Sequence, residues 1–266
     1  MKLNKIMFNS VGVVTALIAG SSMAGEIGNI TGDSITAPPA PIQSSGGGIL
    51  AGTGIEGSLS AGYDSTYVFR GQDTGDNLAW SALELRKDLG NGVAFNVGAW
   101  YASLIEDSFN ELDLYAGIEK SFGPVTLGLG YTYYWFGQTG GYTQEVGASA
   151  KYTLPFAPID LKLSYFYDLE EANDGSYLNL QATYQYALSE NVGIEVGASV
   201  AYGFDYYVLG DDWYDANVRL GLPVKLTDSA TLTPYIALSV PLDGAESFNG
   251  NDKDILYGGA AISVSF

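Results

Sequence analysis

Two acidic residues, Glu111 and Asp113, lie two positions apart in a segment where polar and apolar residues alternate. In an extended strand this spacing puts both carboxylates on one face, and a carboxylate pair is the arrangement that glycoside hydrolysis uses. The chain contains no His and no Cys, so it lacks the usual general base of hydrolases and any thiolate metal ligand. Because paired acids also occur wherever a strand face lines a polar lumen, we expect no enzyme activity, no cofactor and no metal site.

Acidic residues dominate the charge of the whole chain. There are 30 Asp and Glu residues against 11 Lys and Arg residues, which gives a formal net charge of −19. This charge disfavours nucleic acid as a partner and favours the attraction of cations. At the same time 47% of the residues are hydrophobic and 13% are aromatic, yet no apolar run after residue 24 is long enough for a transmembrane helix. Two classes remain, an exported soluble β-protein and a β-barrel in lipid.

From residue 54 onward polar and apolar residues alternate, and Gly, Asp, Asn and Ser interrupt the alternation at intervals. Each alternating segment matches or exceeds the about 9–11 residues that a tilted strand needs to cross a bilayer. Strands are predicted at 54–69, 77–88, 92–104, 109–122, 124–136, 142–154, 158–168, 175–187, 192–205, 213–226, 229–242 and 254–266.

The predicted connections alternate in length. Tight turns follow the even-numbered strands, and longer loops such as 70–76, 169–174 and 243–253 follow the odd-numbered strands. Short turns on one rim and long loops on the other are typical of outer-membrane barrels, with the short side in the periplasm. The predicted fold class is therefore all-β, a transmembrane antiparallel up-and-down β-barrel of twelve strands.

The two faces of each predicted strand differ in chemistry. The polar face is rich in Gly, Ser, Thr and charge, whereas a soluble barrel would fill its inside with bulky aliphatic residues. The apolar face carries aromatic residues near the strand ends, as the interfacial girdles of a membrane barrel require. The outward-facing aromatic residues are predicted to be Phe95, Tyr101, Phe122, Tyr133, Trp135, Tyr152, Tyr165, Tyr167, Tyr184, Tyr186, Tyr202 and Tyr214.

The second predicted strand fits this pattern less well. Trp80, Leu83 and Leu85 cannot all face lipid without a bulge, because their positions differ in parity. Glu84 and Arg86 are therefore left without an assigned face.

The N-terminal part of the chain precedes the barrel. Residues 1–24 are typical of a secretory signal peptide, with a positive start, a mostly apolar stretch and small residues before a cleavage site near Ala24. Residues 25–53 are rich in Pro, Ser and Gly and predict a flexible low-complexity linker, with a plug inside the barrel as the alternative. The barrel then covers 54–266, and the predicted location is the bacterial outer membrane.

The chain ends at Phe266, in a strand where apolar residues alternate. A terminal aromatic residue in this position is similar to the signal that the barrel assembly machinery of the outer membrane reads. The expected partners are that machinery, outer-membrane lipids, and lipopolysaccharide. The acidic loops would either bridge lipopolysaccharide through divalent ions or concentrate cations at the mouth of the barrel.

Three short motifs resemble a known family. They are the stretch from Tyr67 to Gly71 (YVFRG), the stretch from Glu111 to Gly117 (ELDLYAG) and the stretch from Gly130 to Tyr134 (GYTYY). Together they resemble the TorF-like porin family of small exported bacterial proteins. This chain has Gln72-Asp73-Thr74 where an Ile-Ser-Gln run often follows the Arg-Gly of the family. The resemblance implies a barrel and a pore, and it supplies no substrate.

The alternation also selects the residues that would line a lumen. Acids outnumber bases among them, which predicts a cation-leaning lumen. The pore-lining candidates are Glu56, Asp64, Arg70, Glu111, Asp113, Glu119, Glu145, Asp160, Lys162, Glu195, Asp215 and Arg219.

These residues predict an outer-membrane porin that gives passive passage to small cationic or neutral solutes through a narrow acidic lumen. The alternative is a non-conducting structural or binding β-barrel with acidic surface loops, in which the inward charges pair to fill a small barrel. Arg70 beside Gly71 also has two interpretations. It helps to form a constriction, or it ties a loop to neighbouring carboxylates, and the second is the commoner role of such an arginine.

Overall fold

A computed structural model describes residues 50, 53–138, 140–170, 175–207, 210–246 and 254–266. The predicted signal peptide and nearly all of the predicted linker lie outside the described residues. Among the residues that are described, none of the helices has the length and apolar character to cross a membrane.

The described part of the chain is almost entirely β-structure. The strands are β1 (Ile55–Phe69), β2 (Gln72–Gly90), β3 (Val93–Leu104), β4 (Asn110–Phe122), β5 (Val125–Phe136), β6 (Gly141–Thr153), β7 (Ile159–Asp168), β8 (Ser176–Ala187), β9 (Gly193–Phe204), β10 (Asp211–Gly221), β11 (Val224–Lys225), β12 (Ala230–Pro241) and β13 (Ile255–Ser265), and one short helix, α1 (Asp243–Glu246), lies between β12 and β13. Apart from β2, which begins five residues before the predicted segment, the strands agree with the predicted segments within about two residues when β11 is counted with β10. Long alternating segments bounded by turn residues leave little freedom in where a strand begins or ends.

The strands form one closed antiparallel sheet. Neighbours in the chain pair with each other, β13 pairs with β1, and β10 pairs with β12. The two-residue β11 also pairs with β12 and continues the line of β10 beyond Pro223, which has no N–H to donate to the ladder. The barrel therefore has 12 strands in the usual sense, and the predicted fold class is confirmed.

The outer face of the barrel is apolar. Leu129, for example, is 62% exposed, whereas its inward-facing neighbour Gly128 is buried. Ser60, Thr132, Ser164 and other small polar side chains are buried on the inner face. A continuous outward band of Leu, Ile, Val and aromatic side chains around a closed barrel fits a hydrocarbon surrounding. The alternative of a soluble barrel with an aliphatic interior is wrong.

The structure resolves the ambiguity of β2. Trp80 is 6% exposed and points inward, so Leu83 and Leu85 face outward without a bulge. Glu84 and Arg86 consequently lie on the inner face. Gly62 opposite Trp80 makes room for the indole, because a Cβ at Gly62 would collide with that ring.

Tyr214 was predicted among the outward aromatic residues, and this prediction is wrong. The pairing of β10 with β9 shifts register between Trp213 and Ala216. A bulge of this kind changes which face a side chain occupies. Tyr214 is therefore buried inside the barrel, whereas Trp213 is 53% exposed on the outside.

Candidate functional site

The two ends of the barrel are defined by their connections. We call the end with the short turns, such as 91–92 and 123–124, the turn end, and the end with the longer loops, such as 105–109, the loop end. The predicted lumen residues divide between these ends, and the chemistry of the two halves differs.

At the turn end six of the inward charges form three ion pairs. Of the predicted candidates, Glu119, Lys162 and Arg219 are buried there, Asp160 and Glu195 are partly buried, and Glu56 is exposed at the rim. Opposite charges on adjacent or nearby strands compensate each other, so this half of the lumen is close to neutral. The pairs are Arg86 Nη1 with Glu119 Oε2 at 2.8 Å, Arg219 Nη1 with Glu195 Oε1 at 2.6 Å, and Lys151 Nζ with Asp160 Oδ2 at 3.9 Å.

At the loop end the inward charges are mostly acidic. All of these acids are at most 1% exposed, and a buried carboxylate is costly unless donors surround it. Aromatic hydroxyl and indole groups supply much of that donation. The predicted acids here are Asp64, Glu111, Asp113, Glu145 and Asp215. Donors to four of these five acids are Tyr235 and Trp80 to Asp64 at 2.5 and 3.0 Å, Tyr67 to Glu111 at 2.8 Å, Tyr134 to Glu145 at 2.9 Å, and Tyr177 to Asp215 at 2.6 Å.

The connection between β1 and β2 is the main departure from the predicted topology. The predicted long loop 70–76 is wrong, because β1 and β2 continue pairing up to a two-residue turn at Arg70 and Gly71. The φ angles of 46° and 75° at these residues are those of a type I′ hairpin turn. A register shift after Tyr67 leaves an extra residue on β2, and such a bulge bends a hairpin.

The end of this hairpin, residues 67–75, folds into the barrel, and we call it the hairpin tip. Tyr67, Val68, Phe69, Arg70 and Gln72 are all at most 4% exposed. Exposed loops of a membrane barrel would leave such side chains in water. Burial of these five means that the tip from Tyr67 to Gln72 occupies the lumen at the loop end, whereas Asp73 is exposed.

Arg70 reaches from the hairpin tip to the opposite wall of the barrel. Its guanidinium donates from Nη1 to Glu145 Oε1 at 2.6 Å and from Nη2 to Glu145 Oε2 at 2.9 Å, which is a two-pronged ion pair between side chains that are 0% and 1% exposed. Nη1 also donates to the hydroxyl of Tyr206. The guanidinium carbon lies 4.5–5.1 Å from the ring centres of Phe69, Phe166, Tyr177 and Tyr206.

Other residues of the tip contact further strands. Gln72 Nε2 donates to the Tyr214 hydroxyl at 2.9 Å, and Val68 packs in a cluster with Tyr235 and Tyr257. A Cβ at Gly71 would lie 2.6 Å from the Cβ of Asp215. The tip thus contacts side chains from most of the barrel wall. Of the two interpretations of Arg70, the geometry fits an ion pair that connects the turn to a carboxylate, that of Glu145. This ion pair spans the lumen.

Tyr206, in the loop after β9, completes the surroundings of the ion pair. Burial raises the pKa of its hydroxyl well above the ordinary value, and the nearby Arg70 charge offsets only part of this increase. The hydroxyl therefore stays protonated at neutral pH, so that it can accept from Arg70 and donate to Glu145 Oε1 at 3.5 Å.

Sequence reasoning missed three inward charges. Glu84 and Arg86 had no assigned face because Trp80 differs in parity from Leu83 and Leu85, and Gly62 opposite Trp80 was a usable signal for an inward indole. Asp168 ends a predicted strand but was not among the pore-lining candidates. It closes β7 on the inner face, is 0% exposed and accepts from Thr143 Oγ1 at 3.0 Å. Its even parity with Lys162 in the same strand was the signal.

A cleft of about 290 Å³ opens at the turn end. It lies between the turn after β8 and the strands β11 and β12, and Gln185, Glu195, Lys225 and Thr231 are among its lining residues. Water therefore reaches the inner face at this end, in contrast to the filled loop end.

Comparison with known proteins supports the architecture. No protein-family model matches the sequence, and no curated protein matches it. Among solved structures the fold is similar to an outer-membrane channel from Pseudomonas putida F1, with a TM-score of 0.50 and 12% identity over 80% of this chain and 95% of that chain. It is also similar to the KdgM porin in complex with disordered oligogalacturonate, with a TM-score of 0.50 and 12% identity over 79% of this chain and 99% of that one. At this identity the similarity shows the fold alone, a porin-like twelve-stranded barrel.

Proposed function

We propose that the protein is a narrow outer-membrane channel, related to the TorF-like porins, that passes small cationic or neutral solutes. In this proposal the signal peptide is removed near Ala24, the assembly machinery recognises Phe266, and the barrel is surrounded by lipid and lipopolysaccharide. The fold that it shares with outer-membrane channels supports the proposal without naming a solute.

The observation that carries the proposal is the acidic inner face at the loop end. Asp64, Glu111, Asp113, Glu145 and Asp215 lie there beside one described arginine, Arg70. A ring of carboxylates at one end of a pore concentrates cations and repels anions. In a barrel built only for stability these positions would be filled by neutral side chains, since burying an acid costs free energy.

The hairpin tip determines when such a channel conducts. Because the tip fills the lumen in this conformation, passage requires that it swing toward the loop end and release Arg70 from Glu145. We therefore expect rare openings with a small conductance, and a higher open fraction whenever the ion pair is broken.

The test is recording in planar bilayers from protein whose folding is verified by a gel shift between unboiled and boiled samples. Under a KCl gradient the reversal potential should show cation preference, and the double variant Glu111→Gln/Asp113→Asn should reduce it. Asp228→Asn is the matched control, because Asp228 is fully exposed in a turn and should leave the preference unchanged. Well-folded protein that gives no conductance steps, even with Arg70→Ala, would refute the proposal.

The second candidate is a non-conducting barrel that binds a partner or supports the envelope. The filled loop end favours it, because Tyr67, Val68 and Phe69 of the hairpin tip each pack in a hydrophobic cluster there. This candidate predicts no conductance in any variant, and it predicts loss of a binding phenotype when the outer loops are shortened.

A further inference from the structure

The pocket that holds the Arg70 guanidinium has the composition of a binding site for an organic cation. If the hairpin tip leaves, Phe69 leaves with it, but Phe166, Tyr177, Tyr206 and Glu145 belong to other parts of the barrel and remain. Three aromatic faces and one carboxylate at nine-tenths burial or more form the kind of cage that binds guanidinium and quaternary ammonium groups.

We propose that these four residues form a site for small guanidinium-type cations, and that Arg70 occupies this site as an internal ligand. The inference rests on the proposed function only in that a solute would reach the site through the lumen. It adds a substrate class, organic cations with a planar guanidinium, to that function.

The geometry selects a guanidinium over an ammonium ion. Arg70 binds both oxygens of Glu145, at 2.6 and 2.9 Å, through two parallel donors that only a planar fork can supply. The flat guanidinium also stacks on the aromatic faces, whereas an ammonium ion is a compact and strongly hydrated point charge. An anion is excluded, because Glu145 would repel it in a buried setting.

Binding and tip movement are linked in this arrangement. A free ligand can enter the cage only when Arg70 has left it, so the ligand stabilises the conformation with the tip displaced. The apparent affinity in the intact protein is lowered by the small fraction of time that the cage is vacant. Removing the Arg70 side chain abolishes this competition and should reveal the intrinsic affinity, on the order of millimolar for so small a ligand.

The first experiment is chemical rescue of Arg70→Ala in detergent. This variant leaves Glu145 buried without its cation, so the temperature at which the unboiled gel band is lost should fall. Methylguanidinium, at up to about 20 mM and far below denaturing concentrations, should restore most of that loss. Methylammonium and urea should not, because the first lacks the fork and the second lacks the charge. Arg70→Ala/Glu145→Gln is the control that should show no rescue.

If Arg70→Ala does not fold alone, the same additives are supplied during refolding. Recovery of the unboiled band with methylguanidinium and not with methylammonium would support the site, and equal recovery or none would overturn it.

The second experiment keeps Arg70. The chain has no Cys, so Val68→Cys introduces one thiol, at a position in the tip that is 3% exposed. Methylguanidinium should accelerate maleimide labelling of this thiol, with a half-maximal concentration at least about tenfold above that of the rescue. If methylammonium accelerates labelling as much as methylguanidinium does, or if neither compound accelerates it, the proposed link between ligand binding and movement of the hairpin tip is contradicted. Neither experiment measures conductance, so a barrel that never conducts can still pass both tests.

Discussion

Replacing Glu145 by Gln tests whether the Arg70 contact holds the hairpin tip in place. The side chain of Arg70 is 0% exposed and that of Glu145 is 1% exposed, so the substitution leaves a buried guanidinium without a carboxylate. Breaking one half of a buried ion pair costs about 3–5 kcal/mol. The aromatic rings around the guanidinium still stabilise it after the substitution, because a cation over an aromatic face gains about 0.5–2 kcal/mol. We therefore expect a loss of about 3 kcal/mol, at the lower end of the range for a broken buried ion pair.

The measurement is urea unfolding in lipid vesicles, followed by tryptophan fluorescence. A loss of about 3 kcal/mol should lower the midpoint by about 1 M at an unchanged slope. Asp228→Asn is the matched acid-to-amide control, since its partner Lys225 forms an exposed pair at 2.9 Å and such pairs add little to stability. Combining Glu145→Gln with Arg70→Met should cost less than the two single changes together. A Glu145→Gln variant as stable as the control would refute the tie between the tip and the opposite wall.

Three further predictions concern the turn, the faces and the C-terminus. Gly71→Ala should destabilise the barrel by at least about 1 kcal/mol more than Gly90→Ala, as measured by urea titration of both variants. Both glycines have a positive φ, but only at Gly71 would the new Cβ collide with a neighbouring side chain. A variant that keeps only Trp80 and Trp100, which are 6% and 1% exposed, should resist fluorescence quenching by brominated lipid acyl chains, and a variant that keeps only the other two tryptophans should be quenched strongly. Phe266→Ala should lower the yield of assembled barrel in cells while leaving refolding in detergent intact, as quantified by the unboiled gel band.

The strand pattern was predictable because each strand of a membrane barrel solves a local problem. Along β5, Leu127 and Leu129 face the outside of the barrel and Gly128 faces the inside. Alternation therefore assigns the face of each residue without knowledge of the neighbouring strands. The same logic placed Glu111 and Asp113 together on the inner face of β4. Where a strand also carries a bulge, parity changes at a point that the alternation does not mark, and Tyr214 was assigned to the wrong face for this reason.

The hairpin tip was not predictable in this way, because its position depends on residues far away in the sequence. The residues from Gln72 to Asp76 are polar, and a segment of this composition is typical of a surface loop. What turns them into paired strand is the positive φ at Arg70 and Gly71, which lets the two strands continue to the end of the tip.

An arginine in the left-handed region costs about 1–2 kcal/mol relative to glycine, so the turn at Arg70 would favour Asn or Gly on local grounds alone. Strain of this kind persists where the surroundings outweigh it, and it gathers at functional sites. Here the surroundings are Glu145 and three rings from β7, β8 and the loop after β9, none of which is near Arg70 in the sequence. Arg70→Asn should therefore relax the turn and still destabilise the barrel. If Arg70→Asn instead stabilised the barrel against urea, the contacts of Arg70 would contribute less than the turn strain costs. The proposal that these contacts hold the hairpin tip in the lumen would then be refuted.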